Sequence, residues 1–148
     1  MEKIHILVVD DHTLFRRGLI ALLSQAEDFE VIGEAGDAIE AIRLCKTLKP
    51  DIILLDNHLP GASGIQSLPD IFHVSPESTV MMLTVSEDEG DLIQALQNGA
   101  QGYLLKTSEK DDLLLGVRKA FAGESVISKE MTHKLVRSEE HTSELQSH

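Results

Sequence analysis

The sequence predicts an α/β fold, with five parallel strands in one sheet and helices on both of its faces, a doubly wound (βα)5 arrangement. Two unbroken apolar runs, Ile4–Val9 and Ile52–Leu55, are typical of strands that are buried on both faces of a parallel sheet. Short strand-like segments alternate with segments of helical spacing five times along the chain, which favours βαβ units. The 148 residues are sufficient for one such domain with a tail.

Each predicted strand is a short apolar run bounded by polar or glycine-containing segments. In chain order the strands are Ile4–Val9, Glu30–Gly36, Ile52–Leu55, Thr79–Leu83 and Tyr103–Leu105. The helices between and after them have apolar residues three or four positions apart. In chain order the helices are 13–23, Ala38–Leu48, Gly64–Val74, Asp88–Asn98 and Glu109–Phe121.

Local signals mark the ends of several of these helices. Thr13 is the predicted N-cap of the first helix, and Pro50 stops the second. The fourth ends at Asn98 and Gly99 in the manner of a C-cap, and Pro69 must lie in the first turns of the third or distort it.

The second helix is predicted to bury Ile39, Ile42 and Cys45 along one face, which makes Cys45 a small core residue. Since Cys45 is the only cysteine of the sequence, an internal disulfide is excluded. A cytoplasmic location is the default expectation.

Charge and motif content argue against several classes of function. The net charge of −12 opposes binding of nucleic acid through phosphate neutralisation. No apolar run approaches the roughly 20 residues of a membrane span, and an acidic pair comes too early for a signal peptide, so we expect no membrane association. CxxC, GxGxxG and Walker A motifs are missing, so zinc, dinucleotide and nucleoside triphosphate sites lack their usual signatures.

Four predicted strands end on polar side chains that one edge of the sheet would bring together. These are Asp10 with Asp11, Asp56, Thr84 and Lys106. All strands of a parallel sheet point the same way, and open α/β sheets bind ligands beyond the carboxyl ends of their strands. Each residue taken singly has a structural explanation, such as a helix cap or a solvated lysine. Their coincidence at four strand ends indicates a site.

The residue types at this edge fit phosphoryl transfer to a carboxylate. Three carboxylates repel one another unless a cation lies between them, and an all-oxygen site with few protein ligands suits Mg²⁺. A cation that bridges Asp11 and Asp56 leaves open positions for a phosphoryl oxygen. Thr84 can donate a hydrogen bond to a second phosphoryl oxygen, and Lys106 supplies positive charge for a third. Asp56 is the natural nucleophile, because carboxylates form aspartyl-phosphates without activation by a base.

The segments VVDDH, LLDNHLPG, MLTV and GYLLK together resemble the response regulator receiver domains of two-component signalling. The resemblance covers about Ile4 to Gly123 and implies the flavodoxin-like, CheY-like receiver fold over residues 1–123. GAQGYLLK and the later GESVIS resemble the NarL/FixJ class of DNA-binding regulators, with nitrate/nitrite-type regulators the nearest likeness.

This resemblance implies a role for each acidic residue. Asp56 would be the phosphoacceptor for a sensor histidine kinase, and Asp11 and Asp56 would bind Mg²⁺ directly. The backbone carbonyl of His58 would be a third ligand, and Asp10 would act through water. The His58 side chain either tunes access of water to the phosphoryl group or points to solvent, and we favour solvent. The domain would be a signalling element rather than an enzyme, limited to Mg²⁺-dependent self-phosphorylation from a phosphodonor and slow autodephosphorylation.

The resemblance also implies a switch and an output surface. Thr84 and Lys106 would contact the phosphoryl group, and Tyr103 would turn inward as Thr84 moves toward it. The output surface would run from Asp88 to Phe121. A homodimer on phosphorylation is also expected. DNA would be bound only through a C-terminal helix-turn-helix domain, which we expect to be missing from this chain.

Two other functions remain open from the residues alone. A Mg²⁺-dependent phosphatase or phosphotransferase with an aspartyl-phosphate would use the same pocket, although no DxD motif and no cap-like insertion accompany it. A receiver-like interaction module that works without phosphorylation is the second alternative. The presence of the acid pair, Asp56, Thr84 and Lys106 argues against that module.

The segment 124–136 is predicted to begin a linker helix, with Ser128 as N-cap and Lys129–Val136 as the helix. Residues 137–148, RSEEHTSELQSH, are polar and match the in-frame translation of a widely used sequencing-library adapter. We expect them to be a disordered, non-native tail, with the natural protein cut off near Val136.

Overall fold

A computed structural model describes residues 2–136 of the chain, and six parallel strands form one sheet in this range. The strands are β1 Ile4–Val9, β2 Phe29–Ala35, β3 Ile52–Leu55, β4 Thr79–Thr84, β5 Gly102–Leu105 and β6 Val126–Ile127. The helices are α1 Thr13–Ser24, α2 Ala38–Leu48, α3 Gly64–Val74, α4 Glu89–Gln97, α5 Lys110–Phe121 and a further helix, α6, over residues 129–136. The strand order is β2-β1-β3-β4-β5-β6, and the predicted tail 137–148 lies outside the described residues.

The prediction of a doubly wound parallel sheet is confirmed, but its count of five strands is wrong. The sixth strand, β6, pairs with β5 through Val126 opposite Gly102 and Ile127 opposite Tyr103. Two residues are too few to show a period in the sequence, and pairing with the edge of β5 decides their conformation. The predicted helix after β6 is present, and Ser128 Oγ accepts a hydrogen bond from the Met131 amide at 3.4 Å.

Helices cover both faces of the sheet, so successive residues of a strand enter different cores. On β1, Leu7 and Val9 pack with the buried residues of α2, α3 and α4. Ile6 and Val8 point to the opposite face, where the buried residues of α1 and α5 lie. The unbroken apolar run of β1 follows from this two-sided burial. Within the described range no helix combines the length and the apolar character that crossing a membrane requires.

Two predicted details of the helices are wrong. His12, not Thr13, is the N-cap of α1, and it makes no side-chain capping bond. Ile39 is 83% exposed, since α2 turns Ala38, Ala41 and Cys45 toward the sheet instead. Small side chains on the buried face allow the helix to lie close to the sheet. The apolar pattern of the sequence does not distinguish this face from one that buries the larger Ile39. Burial raises the pKa of the Cys45 thiol to about 11, in agreement with a core role.

Backbone pairing holds the ends of the central strands at one edge. Val9 lies opposite Leu55, and the amide of Asp56 donates to the Val9 carbonyl at 3.0 Å. On the other side of β4 the amide of Lys106 donates to the Thr84 carbonyl at 2.9 Å. The residues that follow β1, β3 and β5 are therefore neighbours in space.

The start of α3 packs directly against the end of β3. A Cβ added to Gly64 would lie 2.2 Å from the backbone carbonyl oxygen of Asp56. The Gly64 amide donates to the Asn57 carbonyl at 3.1 Å, and the Ile65 amide donates to Asn57 Oδ1 at 3.1 Å. Glycine at this position lets the helix approach the loop that carries Asp56.

Substitution of Gly64 by Ala is expected to lower the free energy of unfolding by about 2 kcal/mol, because backbone must move to accept the methyl group. Urea unfolding followed by circular dichroism measures this change. Gly18→Ala is the matched control, since nothing lies within 4 Å of a Cβ at Gly18 in α1. The control should gain up to about 1 kcal/mol from helix propensity. Equal effects of the two substitutions would contradict the close packing at Gly64.

An ion pair ties α5 to the segment before β2. Arg118 donates from Nε to Asp28 Oδ2 at 2.8 Å and from Nη2 to Asp28 Oδ1 at 2.9 Å. The guanidinium also lies 5.1 Å from the centroid of the Phe29 ring. The hydrogen bonds from Arg118 lower the pKa of Asp28 below its ordinary value of 3.8.

The Asp28–Arg118 pair is expected to add stability above pH 3.8 and to lose it as the pH falls through the lowered pKa of Asp28. Both side chains are partly exposed, so the contribution should stay below about 1 kcal/mol. Urea unfolding of the wild type and of Asp28→Asn at a series of pH values tests this. The difference in the free energy of unfolding between the two proteins should vanish at the lowest pH values. A difference that is independent of pH would refute the assignment of this stability to the ionised Asp28 carboxylate.

Candidate functional site

Of the polar strand ends predicted to meet, Asp10 with Asp11, Asp56 and Lys106 lie together at the carboxyl edge of the sheet. Asp10, Asp11, His12 and Asp56 each offer one ligand atom, and these atoms all lie within 4.8 Å of one another. Asp10 and Asp56 are buried, with 2% of their surface exposed, whereas Asp11 and His12 are open to solvent. The pocket therefore has an acidic floor and an accessible rim.

Lys106 compensates the charge of the two buried carboxylates. Its Nζ lies 2.7 Å from Asp10 Oδ2 and 3.2 Å from Asp56 Oδ2, and its side chain is 11% exposed. The ammonium also stands 4.5 Å from the centroid of the Phe15 ring. Burial opposes the charged form, but the hydrogen bond to Asp10 and the attraction of Asp56 and Asp10 outweigh it and raise the pKa of Lys106. The lysine is thus held as a cation inside the pocket.

The two oxygens of Asp56 have different surroundings. Oδ2 accepts the hydrogen bond from Lys106, whereas Oδ1 has no hydrogen-bond partner. Among the described residues it is the one buried side-chain nitrogen or oxygen atom without a partner. An unpaired buried carboxylate oxygen is costly unless a cation or a reacting group engages it. This oxygen and the neighbouring carboxylates fit a hard cation with oxygen ligands, such as Mg²⁺.

Thr84 and Tyr103, the predicted switch residues, are connected through Ser86. Thr84 is fully buried, and its Oγ1 accepts a hydrogen bond from the Ser86 amide at 3.3 Å. The Tyr103 ring is also buried, and its hydroxyl donates to the Ser86 carbonyl at 2.9 Å. Burial raises the pKa of Tyr103, so the hydroxyl stays a donor at neutral pH. The loop after β4 therefore joins the two side chains.

His58 lies in the loop after Asp56 and is exposed, in agreement with the predicted solvent orientation of its side chain. Its predicted part in the site is the backbone carbonyl, and that role stays a prediction.

Several residues of the site carry no sequence signal that singled them out. His12 joins the cluster of possible ligands, with Nδ1 at 3.4 Å from Asp11 Oδ1. Phe15 covers the Lys106 ammonium. Arg16 donates from Nη1 to the Asp10 carbonyl at 2.6 Å and from Nε to Glu34 Oε1 at 2.7 Å, so it braces the acidic loop. The available signal was position alone, because His12 is the N-cap of α1, Phe15 and Arg16 lie in its first turn, and the acid pair directly precedes them.

Comparison with known proteins gives one consistent result. The family model described as the response regulator receiver domain matches residues 6–118. The nitrate/nitrite response regulator protein NarL of Escherichia coli K12 is 41% identical over 137 residues, which are 93% of this chain and 63% of that protein. This chain therefore spans slightly less than two thirds of the length of that relative.

Solved structures agree with this match. A two-component response regulator of the LuxR family from Aurantimonas sp. SI85-9A1 superposes with a TM-score of 0.89 at 28% identity, covering 93% of this chain and 99% of that one. The signal receiver domain of a NarL response regulator from Mycobacterium tuberculosis gives a TM-score of 0.80 at 35% identity, covering 84% of this chain and all of that one.

Replacement of Lys106 by Met is expected to destabilise the protein in EDTA by on the order of 3 kcal/mol, because two buried carboxylates lose their counter-charge. A divalent cation in the pocket would replace that charge, so Mg²⁺ should stabilise this variant more than the wild type. Urea unfolding with and without Mg²⁺ measures both effects. Lys110→Met, which removes a lysine that donates to Gln25 outside the pocket, is the control. Equal stabilisation of all three proteins by Mg²⁺ would contradict the replacement of the Lys106 charge by the cation.

Proposed function

This chain belongs to the response regulator receiver domain family, and on that basis we propose that Asp56 accepts a phosphoryl group from a sensor histidine kinase. The observation that carries the proposal is the asymmetric environment of the Asp56 carboxylate. One oxygen is paired with the Lys106 ammonium, and the other is buried without a partner at the ligand-binding edge of the sheet. A carboxylate in this state is held in one orientation and has an oxygen available to form a new bond.

Mg²⁺ is the proposed cofactor. Asp11, Asp56 and the backbone carbonyl of His58 would hold it directly, and Asp10 would act through water. The close grouping of the carboxylates and the unpaired Asp56 Oδ1 support this ligand set. When bound, the cation supplies neutralisation of the negative charge on the phosphoryl oxygens.

The transfer itself needs little beyond positioning and charge. One oxygen of the Asp56 carboxylate attacks the phosphorus atom, and an O–P bond forms while the bond from phosphorus to the donor nitrogen of the kinase histidine breaks. The electron pair of the broken bond stays on the histidine. Lys106 neutralises charge on the acceptor side, and its raised pKa keeps it protonated for this role. The Thr84 hydroxyl, whose oxygen accepts from Ser86, still has its own proton to donate to a phosphoryl oxygen.

The proposed output is a change at the surface formed by α4, β5 and α5. Movement of Thr84 toward the phosphoryl group would shift Ser86, to which the Tyr103 hydroxyl is bonded. The altered surface would favour a homodimer of a cytoplasmic transcription regulator. DNA binding is assigned to a separate domain of that regulator, because this chain of 148 residues carries a net charge of −12 and spans 63% of its NarL relative.

Incubation of the protein with Mg²⁺ and acetyl phosphate is expected to add one phosphoryl group, detected as a single adduct by intact-mass spectrometry. The adduct should be absent from Asp56→Asn and abolished by EDTA, because the acceptor and its cation are then removed. Asp70→Asn, which changes an exposed carboxylate of α3, is the matched control and should be labelled like the wild type.

Two other outcomes would change the assignment. No adduct under any condition would leave a receiver-shaped interaction module that works without phosphorylation. Repeated turnover of a small phosphoester through the same aspartate would instead indicate a phosphatase.

A further inference from the structure

The segment that follows α5 packs against β5 and α4, two elements of the proposed output surface. Met131 of α6 is fully buried and belongs to the same core cluster as Tyr103 and Leu92. Leu135, one turn further along α6, packs against this cluster as well. The Ser128 amide donates to the Tyr103 carbonyl at 3.0 Å, so the turn between β6 and α6 is hydrogen-bonded to β5, the strand that carries Tyr103. The position of α6 is thus determined by tertiary contacts of the receiver.

Lys134 connects α6 to the loop between β4 and α4. Its Nζ donates to the backbone carbonyl of Glu87 at 2.6 Å and lies 3.9 Å from the Glu87 carboxylate. The Glu87 side chain is largely exposed, so the carboxylate contact contributes little. The hydrogen bond to the main chain is the contact that restrains the loop.

The restrained carbonyl is one residue from the groups that join the loop to the phosphoacceptor pocket. Ser86 donates its amide to Thr84 Oγ1 and accepts the Tyr103 hydroxyl on its carbonyl. Its side chain donates to Asp91 Oδ2 at 2.6 Å. Consecutive carbonyls of this short loop are therefore held by Tyr103 and by Lys134. A displacement of Thr84 would therefore be passed through Ser86 to the contacts with Tyr103 and Lys134.

We propose that α6 acts as a brake on phosphorylation of Asp56, with Lys134 as the positioning residue that holds the β4–α4 loop. The proposal rests on the proposed function, since the brake acts on the movement of Thr84 toward a phosphoryl group. If phosphorylation draws the loop away from α6, the docked helix disfavours phosphorylation by the same free energy.

The test compares rates of phosphorylation by acetyl phosphate in Mg²⁺, measured by intact mass on the full chain. Lys134→Met keeps the aliphatic stem and removes the donor, and it should be labelled about fivefold faster, the factor that corresponds to the loss of one hydrogen bond. Lys129→Met removes the same charge from the exposed first residue of α6 and should be labelled at the wild-type rate. Lys134→Met labelled no faster than Lys129→Met would overturn the proposal.

A spectroscopic readout separates the brake from a general loss of stability. The ¹⁵N–¹H resonances of Ser86 and Asp88 should shift in Lys134→Met without phosphodonor, and beryllofluoride should increase amide exchange in residues 129–136 of the wild type. Resonances that do not move, or exchange that does not respond, would refute the coupling. If the wild type forms no adduct, the proposed function fails; if it forms one and the helix does not respond, only the brake fails.

Discussion

Two carboxylates buried at the end of neighbouring strands need a cation between them, and Lys106 supplies it. Without the ammonium, Asp10 and Asp56 would face each other in a low-dielectric pocket, and their repulsion would oppose closure of the sheet edge. The strands of the central sheet therefore have to end in a register that brings Lys106, which follows β5 on the far side of β4, within reach of both carboxylates. The site and the stability of the sheet edge depend on the same contact.

The backbone around the pocket is as strongly constrained as its side chains. The amides of Asp10 and Asp56 donate to carbonyls of neighbouring strands, at 3.0 Å in each case. Arg16 binds the Asp10 carbonyl, and Gly64 packs on the Asp56 carbonyl. A carboxylate held in this way would lose little conformational entropy on reacting, which is how positioning would contribute to the proposed phosphoryl transfer. The opposite side of the pocket, at the β4–α4 loop, is built from side-chain hydrogen bonds that can rearrange.

Tertiary packing decided details of α1, α2 and β6 that the sequence pattern did not determine. Ile39 fits the apolar stripe of α2, yet the helix turns smaller residues to the sheet and leaves Ile39 exposed. Thr13 is a good capping residue, but the chain enters α1 one residue earlier, at His12. Val126 and Ile127 become a strand only because the edge of β5 offers hydrogen bonds to them.

The sequence by itself determined the strand–helix alternation and the polar residues at the strand ends, because two-sided burial and strand direction follow from local pattern. It thereby brought Asp10, Asp56 and Lys106 to one edge. Only the tertiary structure decided that the Lys106 ammonium lies between the two carboxylates and that Arg16 braces the Asp10 carbonyl. It also decided that α6 returns to the β4–α4 loop. These contacts join residues distant in the chain, and their side-chain directions depend on packing that no local period encodes.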